Sequence, residues 1–172
     1  DNTLAMRQLG LGYANLGDVI TIRYSFESNT PDFEPWIAER GKFDGAVTSA
    51  KILLNTTHAS LENVGYIMVL NDYLGRDTYL TSSTASSVIG EALPSYNGFE
   101  FAGYNLFYHD YDASMFSEAS LTSAPIIAGY DSFRLNLGFQ RAISPGFFLG
   151  AAIVADDLIS ISRIPPIPEP KS

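Results

Sequence analysis

The chain announces itself by alternation. Across 19–26, Ile20, Ile22, Tyr24 and Phe26 fall on one side while Thr21, Arg23 and Ser25 fall on the other. This is the period of two that a half-buried strand requires. The pattern is cleanest at 132–139, where Phe133, Leu135, Leu137 and Phe139 alternate with Ser132, Arg134, Asn136 and Gly138. Further strands are predicted at 46–54, 65–70, 99–108, 147–154 and 158–162, with a short partner at 78–81 returning after a tight turn at Leu74-Gly75. Over 1–17 only Leu9, Leu11 and Tyr13 alternate, and 28–35 carries the Asn, Thr, Pro and acidic residues of a loop. The Ser- and Gly-rich stretch 82–98 is read mostly as loop. No segment of about a dozen residues holds a capped helical stripe. About seven to nine short strands between polar turns predict an all-β fold, an antiparallel β-sandwich of jelly-roll-like or immunoglobulin-like form. That sandwich would occupy 18–163, between an extended segment at 1–17 and a Pro-rich segment at 164–172.

Composition sharpens this picture. A chain of 172 residues has room for one domain with a real core. Apolar residues at 46% and charged ones at 17% exclude a disordered chain, and 11 Phe with 10 Tyr favour strands over helices. The net charge of -9 repels phosphate backbones, so no nucleic-acid partner is expected. The same acidity suits divalent cations and keeps an exported protein in solution. The absence of cysteine excludes disulfides, thiolate zinc sites and a Cys nucleophile together. The longest apolar run, around 146–155, is far short of a bilayer span. The chain opens at Asp1 with no basic segment or apolar run, so an exported form would have shed its signal peptide already.

Candidate chemistry is sparse. His58 and His109 are the two histidines, and His109 stands near Asp110 and Asp112. No Gly-x-Ser-x-Gly elbow accompanies them; Gly129-Tyr130-Asp131-Ser132-Phe133 lacks the second glycine. A surface histidine near a turn explains His109 better than a triad. Glu27, Glu91, Glu100 and Glu118 have no spacing that sets a glycosidase pair on one face, and solvated strand faces explain them. No catalytic residue is assigned and the protein is read as no enzyme. Ca2+ is the one cofactor considered: Asn71, Asp72 and Asp77 flank one turn, and Asp110 and Asp112 bracket Tyr111 in another. Carboxylate and amide oxygens are the ligands calcium takes, although the same residues are ordinary turn formers. Trp36, the single tryptophan, lies in the loop Phe33-Glu34-Pro35-Trp36. It either stacks on a sugar face or covers one end of the core. Asn55-Thr56-Thr57 is a glycosylation sequon.

Several stretches together carry a resemblance. They are Tyr24-Ser25-Phe26-Glu27-Ser28-Asn29-Thr30-Pro31-Asp32 with Gly45-Ala46-Val47, and Met68-Val69-Leu70-Asn71-Asp72 with Asp77-Thr78-Tyr79. To these add 106–110, Met115-Phe116-Ser117, Leu121 and the strand at 133–139, and finally Pro168-Glu169-Pro170. From Val19 onward the chain resembles exported bacterial proteins carrying a PEP-CTERM sorting signal. In that class the Pro-Glu-Pro motif precedes a transmembrane helix and a basic cluster, and an exosortase-type system removes the tail. Here only Lys171-Ser172 follow the motif. The resemblance implies a secreted protein of the bacterial cell surface or extracellular matrix, touching the membrane only transiently through a removed tail. The proline-rich end is a poor strand donor and is expected to be extended and exposed.

Two functions follow as expectations. One is a structural or interaction protein that assembles into fibres by strand addition, with Leu4, Met6, Leu9, Leu11 and Tyr13 of segment 1–17 as the donor. The other is a carbohydrate-binding module on extracellular polysaccharide, using Trp36. The expected partner is therefore a second copy of the chain or a matrix polysaccharide.

Overall fold

A computed structural model of the chain describes residues 18–84, 93, 95, 98–121, 130–144 and 147–155. The donor segment Leu4, Met6, Leu9, Leu11 and Tyr13, the predicted strand at 158–162, Glu91 and the motif Pro168-Glu169-Pro170 lie outside the described residues.

The strands are β1 (Ile20–Phe26), β2 (Arg40–Leu54), β3 (Thr57–Leu70), β4 (Asp77–Thr84), β5 (Glu100–Asp110), β6 (Ser132–Ser144) and β7 (Phe147–Ala155). All are antiparallel, and each pairs with its neighbour in sequence to give one sheet in the order β1-β2-β3-β4-β5-β6-β7. The all-β, antiparallel expectation is met, while the two facing sheets of a sandwich are not seen among the described residues. Jelly-roll and immunoglobulin forms need two sheets with strands crossing between them, whereas the described strands form a single sheet curled as a half-barrel. Alternation says that each strand buries one face; it does not say what covers that face.

The curl has local causes. Register shifts interrupt β1 between Ser25 and Phe26, β2 between Asp44 and Val47, β5 between Phe101 and Gly103, and β6 between Ala142 and Ser144. Such bulges bend a strand and increase its twist. Gly45 takes φ 78° at the β2 shift, which breaks the alternation and hides the first six residues of β2 from a periodic reading. The start of β3 was also hidden: Asn55 turns at φ 54° and strand begins again at Thr57, so the sequon occupies the turn of a hairpin. The turn predicted at Leu74-Gly75 is present, with φ 56° and 75°. Ser82, Ser83 and Thr84 belong to β4 and not to a loop.

The concave face is the core. Ile52, Leu54, Leu61, Ile67, Leu106, Leu135 and Leu137 are buried on it, together with large rings. Tyr108 packs edge-on to Tyr130 at 5.5 Å and lies 5.4 Å from Phe133, and Phe101 meets Phe139 at 5.8 Å. Buried phenols need partners, and some find each other: Tyr24 donates to Tyr79 at 3.4 Å, and Thr81 Oγ1 lies 3.2 Å from the Tyr104 hydroxyl. The β5–β6 connection closes one end of this face. Leu121 is buried, Met115 and Phe116 pack on the core, and the Ala119 carbonyl sits directly against Gly41 of β2. No side chain larger than hydrogen fits there.

Candidate functional site at the loop-bearing end

Register places three connections at the same end of the sheet. Arg40 pairs with Leu70, Thr78 also pairs with Leu70, Asp77 pairs with Asp110, and His109 pairs with Ser132. The β1–β2 loop (27–39), the β3–β4 turn (71–76) and the β5–β6 connection therefore leave the sheet together. Loop backbones carry donors that no ladder satisfies, and acidic side chains satisfy them here. Asp32 accepts from the N–H groups of Glu34 and Lys42, both at 2.9 Å. Asp77 accepts from Asp72 N–H at 2.8 Å and from Phe116 N–H at 2.6 Å. Asp110 accepts from Asp112 N–H at 3.2 Å and from Ser114 N–H at 2.8 Å, and Asp131 accepts from Tyr111 N–H at 2.7 Å. The loops are also tied to one another, since Asn71 N–H donates to the Glu39 carbonyl at 3.0 Å.

All five calcium candidates thus gather at this end, with Asp77 directly opposite Asp110. Asp77 and Asp110 are buried and turn their oxygens to backbone donors, whereas Asp72 and Asp112 are exposed. Asn71 Oδ1 is buried and takes no hydrogen bond. Among the described residues no group of three or more His, Asp or Glu side chains is arranged to hold a metal. Burial pushes the Asp110 pKa up, and the hydrogen bonds from Ser114 and Asp112 outweigh it, so the group sits below its usual 3.8.

The same loops expose large apolar side chains. Trp36 is 74% exposed and Phe33 59% on the first loop, Leu74 is 82% exposed beside Tyr73 on the second, and Tyr111 is 56% exposed on the third. Trp36 therefore does not cover the core. Leu74 stands at a turn tip in a left-handed conformation, a site that favours Gly or Asn. The Lys42 ammonium lies 5.0 Å from the Phe33 ring centre and 5.7 Å from that of Tyr66. Arg40 pairs with Glu34 at 2.6 Å.

Below Tyr111, on the convex face, His109 stacks between it and Phe107, with centroid spacings of 6.3 and 6.0 Å. An open cleft of about 500 Å3 lies here, lined by His109, Tyr111, Tyr130, Asp131, Ser132 and Arg134 among others. His109 Nδ1 is 2.9 Å from Thr78 Oγ1, and Tyr111 and Ser132 hydroxyls are 3.2 Å apart. Burial lowers the His109 pKa, and the charges of Arg76 and Arg134 lower it further. Of the considered glutamates, Glu100 is exposed on β5, Glu27 accepts from Asn29 N–H at 3.1 Å, and Glu118 accepts from the Ser120 hydroxyl at 2.7 Å. They do not converge with His109 or with His58, which stands at the start of β3.

Sequence reasoning missed Tyr111, Tyr73, Leu74, Arg76 and Arg134. A signal for Tyr111 was present, because Phe107, His109 and Tyr111 continue the alternation past the predicted strand end at 108. No protein-family model, curated protein or solved structure matches the chain.

Proposed function

We propose that the chain is a non-enzymatic domain of the bacterial cell surface or extracellular matrix that binds polysaccharide through its loop-bearing end. One observation carries this: Trp36, Tyr73 and Tyr111 stand exposed on three different loops that leave one end of the sheet. A sugar ring has an apolar C–H face and a rim of hydroxyls, so exposed rings amid polar loops match it on both counts. The exposed carboxylates of Asp72 and Asp112, on the same loops as Tyr73 and Tyr111, supply hydrogen-bonding groups. Rigid strands that carry binding residues on loops are a common division of labour. The resemblance to proteins with a PEP-CTERM signal supports the location.

Affinity electrophoresis through gels loaded with polysaccharide tests the proposal. Retardation should occur with at least one polymer, and Trp36→Ala and Tyr111→Ala should each reduce it while leaving urea denaturation nearly unchanged. Retardation that both variants leave intact would overturn the site.

Assembly is the second function, supported by β1 and β7, which end the sheet and among the described residues pair on one side only. Open strand edges template further pairing. Electron microscopy of full-length protein and of a chain lacking residues 1–17 tests it. Fibres present in the first and absent in the second are expected if strand addition operates, and a monomer in both would exclude it.

A further inference from the structure

The convex face of β4, β5 and β6 holds a group of cations that the fold itself does not use. His109 pairs with Thr78 on β4 and with Ser132 on β6, so Arg76, two residues before Thr78, and Arg134, two residues after Ser132, stand at opposite corners around it on the same face, and His109 and Arg134 line one cleft. Neither arginine forms a salt bridge among the described residues, and Arg76 Nε is buried without a hydrogen-bond partner. This is unexpected in a chain with 19 acidic and 10 basic residues. No carboxylate forms an ion pair with either guanidinium among the described residues: Asp77 and Asp110 hold loop N–H groups, and Asp131, which lines the cleft, accepts from Tyr111 N–H. Two unpaired guanidinium groups beside one histidine repel each other, and a buried Nε without an acceptor adds to the cost. An anion seated against Arg134 in the cleft would relieve the repulsion.

The surroundings narrow the anion. Tyr111 and His109 present stacked rings to the cleft, and the hydroxyls of Tyr111 and Ser132 line its floor. A flat apolar surface beside a planar, forked donor matches a sugar ring carrying a carboxylate. We propose that the cleft binds a uronate unit of an acidic polysaccharide, its ring against Tyr111 and its carboxylate on Arg134, with Arg76 adding positive charge from the other side of His109. The proposal rests on the polysaccharide-binding function and names the charge class of the polymer and the residues that select it.

Calorimetry with the full chain tests it, using oligogalacturonate, its methyl ester, dextran sulfate and neutral dextran as ligands. Oligogalacturonate should bind about tenfold or more tightly than the ester, and Arg134→Gln should abolish that preference. Arg134 is exposed, so the variant should keep its melting temperature, and Arg76→Gln provides a second, independent removal of charge. Equal affinity for acid and ester overturns the uronate assignment while leaving polysaccharide binding in place. Dextran sulfate binding as tightly as oligogalacturonate, with the same loss in Arg134→Gln, reduces the site to a general anion site and also overturns it. Failure to bind any of the four, together with no retardation in any polysaccharide gel, removes both proposals.

Discussion

Asp77 and Asp110 face each other across β4 and β5, both buried, and each carboxylate holds loop backbone in place. Asp77 reaches across to Phe116 N–H at 2.6 Å, while Asp110 holds Ser114 N–H at 2.8 Å two residues earlier in the same connection. Two like charges in register repel, so the arrangement persists only because each carboxylate is compensated by N–H donors. The pair therefore holds residues 112–116 after β5 in place, and with them Tyr111 and the closed end of the core.

Asp77→Asn tests that role. The amide keeps one acceptor oxygen and turns an NH2 group toward one of the two donors, Asp72 N–H or Phe116 N–H. A lost charge-assisted hydrogen bond with a stranded donor costs about 1.5–3 kcal/mol, and urea denaturation should show a loss in that range. Asp72→Asn removes an exposed carboxylate from the same turn and should change stability by less than about 0.5 kcal/mol.

These two aspartates also show what a sequence reveals. Their types and positions marked two separate turns as holding oxygen ligands, and strand register brings those turns to one end of the sheet. Asp110 and Asp112 stand two apart around Tyr111, yet Asp110 is buried and Asp112 is exposed. Whether a carboxylate faces a metal or a neighbouring N–H depends on backbone donors that no side-chain pattern records. Strand identity was legible wherever alternation ran unbroken, as in β1 and β6. It was lost where Gly45 inserted a bulge and where Asn55 and Thr56 made a two-residue turn. Curl into one half-barrel was not legible, because bulges add up to curvature only in three dimensions. Arg76 and Arg134 were invisible as a group because 58 positions separate them and two strand pairings bring them to one histidine.

Gly41 and Gly45 lie four residues apart on β2, and their substitution should separate two costs. A Cβ on Gly41 would collide with the Ala119 carbonyl and come within 2.7 Å of the Phe43 ring. Gly41→Ala must displace the β5–β6 connection, and overpacking of this kind costs about 1–3 kcal/mol. Gly45→Ala meets open space and carries only the cost of its positive φ, about 1–2 kcal/mol. The distinguishing measurement is hydrogen exchange at Ser114 and Phe116, which should accelerate in Gly41→Ala and stay slow in Gly45→Ala.

Alkaline titration should report on the aromatic core. Burial raises the pKa of Tyr24, Tyr79, Tyr104 and Tyr108 above the usual 10.0, and neighbouring tyrosines raise that of Tyr79 further. A raised folded-state pKa means the unfolded chain releases these protons first. Stability is then complete below about pH 10 and falls as the pH rises beyond it. Absorbance at 295 nm should show these four phenols titrating only together with loss of near-ultraviolet circular dichroism. Smooth titration of all ten tyrosines near pH 10 in folded protein would contradict the burial.

His109 should govern the first acid step. Burial, then Arg76 and Arg134, depress its pKa below 6.5, so the folded state favours the neutral ring. Thr78, Phe107, Tyr111 and Ser132 also adjoin it, and none of them offsets the two cations. Above about pH 6.5 both folded and unfolded states are neutral and its contribution to stability is complete. As the pH falls below 6.5 the unfolded chain takes up the proton first, and stability declines until the folded-state pKa is passed. Asp110 acts in a separate window: with its pKa held below 3.8, its contribution is complete above that pH and is lost only in stronger acid. Urea denaturation between pH 7.5 and 5 should therefore show a decline that His109→Gln removes, while the step below pH 4 survives in the variant. With only two histidines in the chain, NMR can follow the His109 ring directly. In a His58→Gln variant the remaining imidazole is His109, and its pKa should lie below 6.5 in free protein and rise when oligogalacturonate is added, because a carboxylate on Arg134 offsets part of the positive charge that adds to the effect of burial. A His109 pKa that does not move with saturating ligand would place the carboxylate elsewhere.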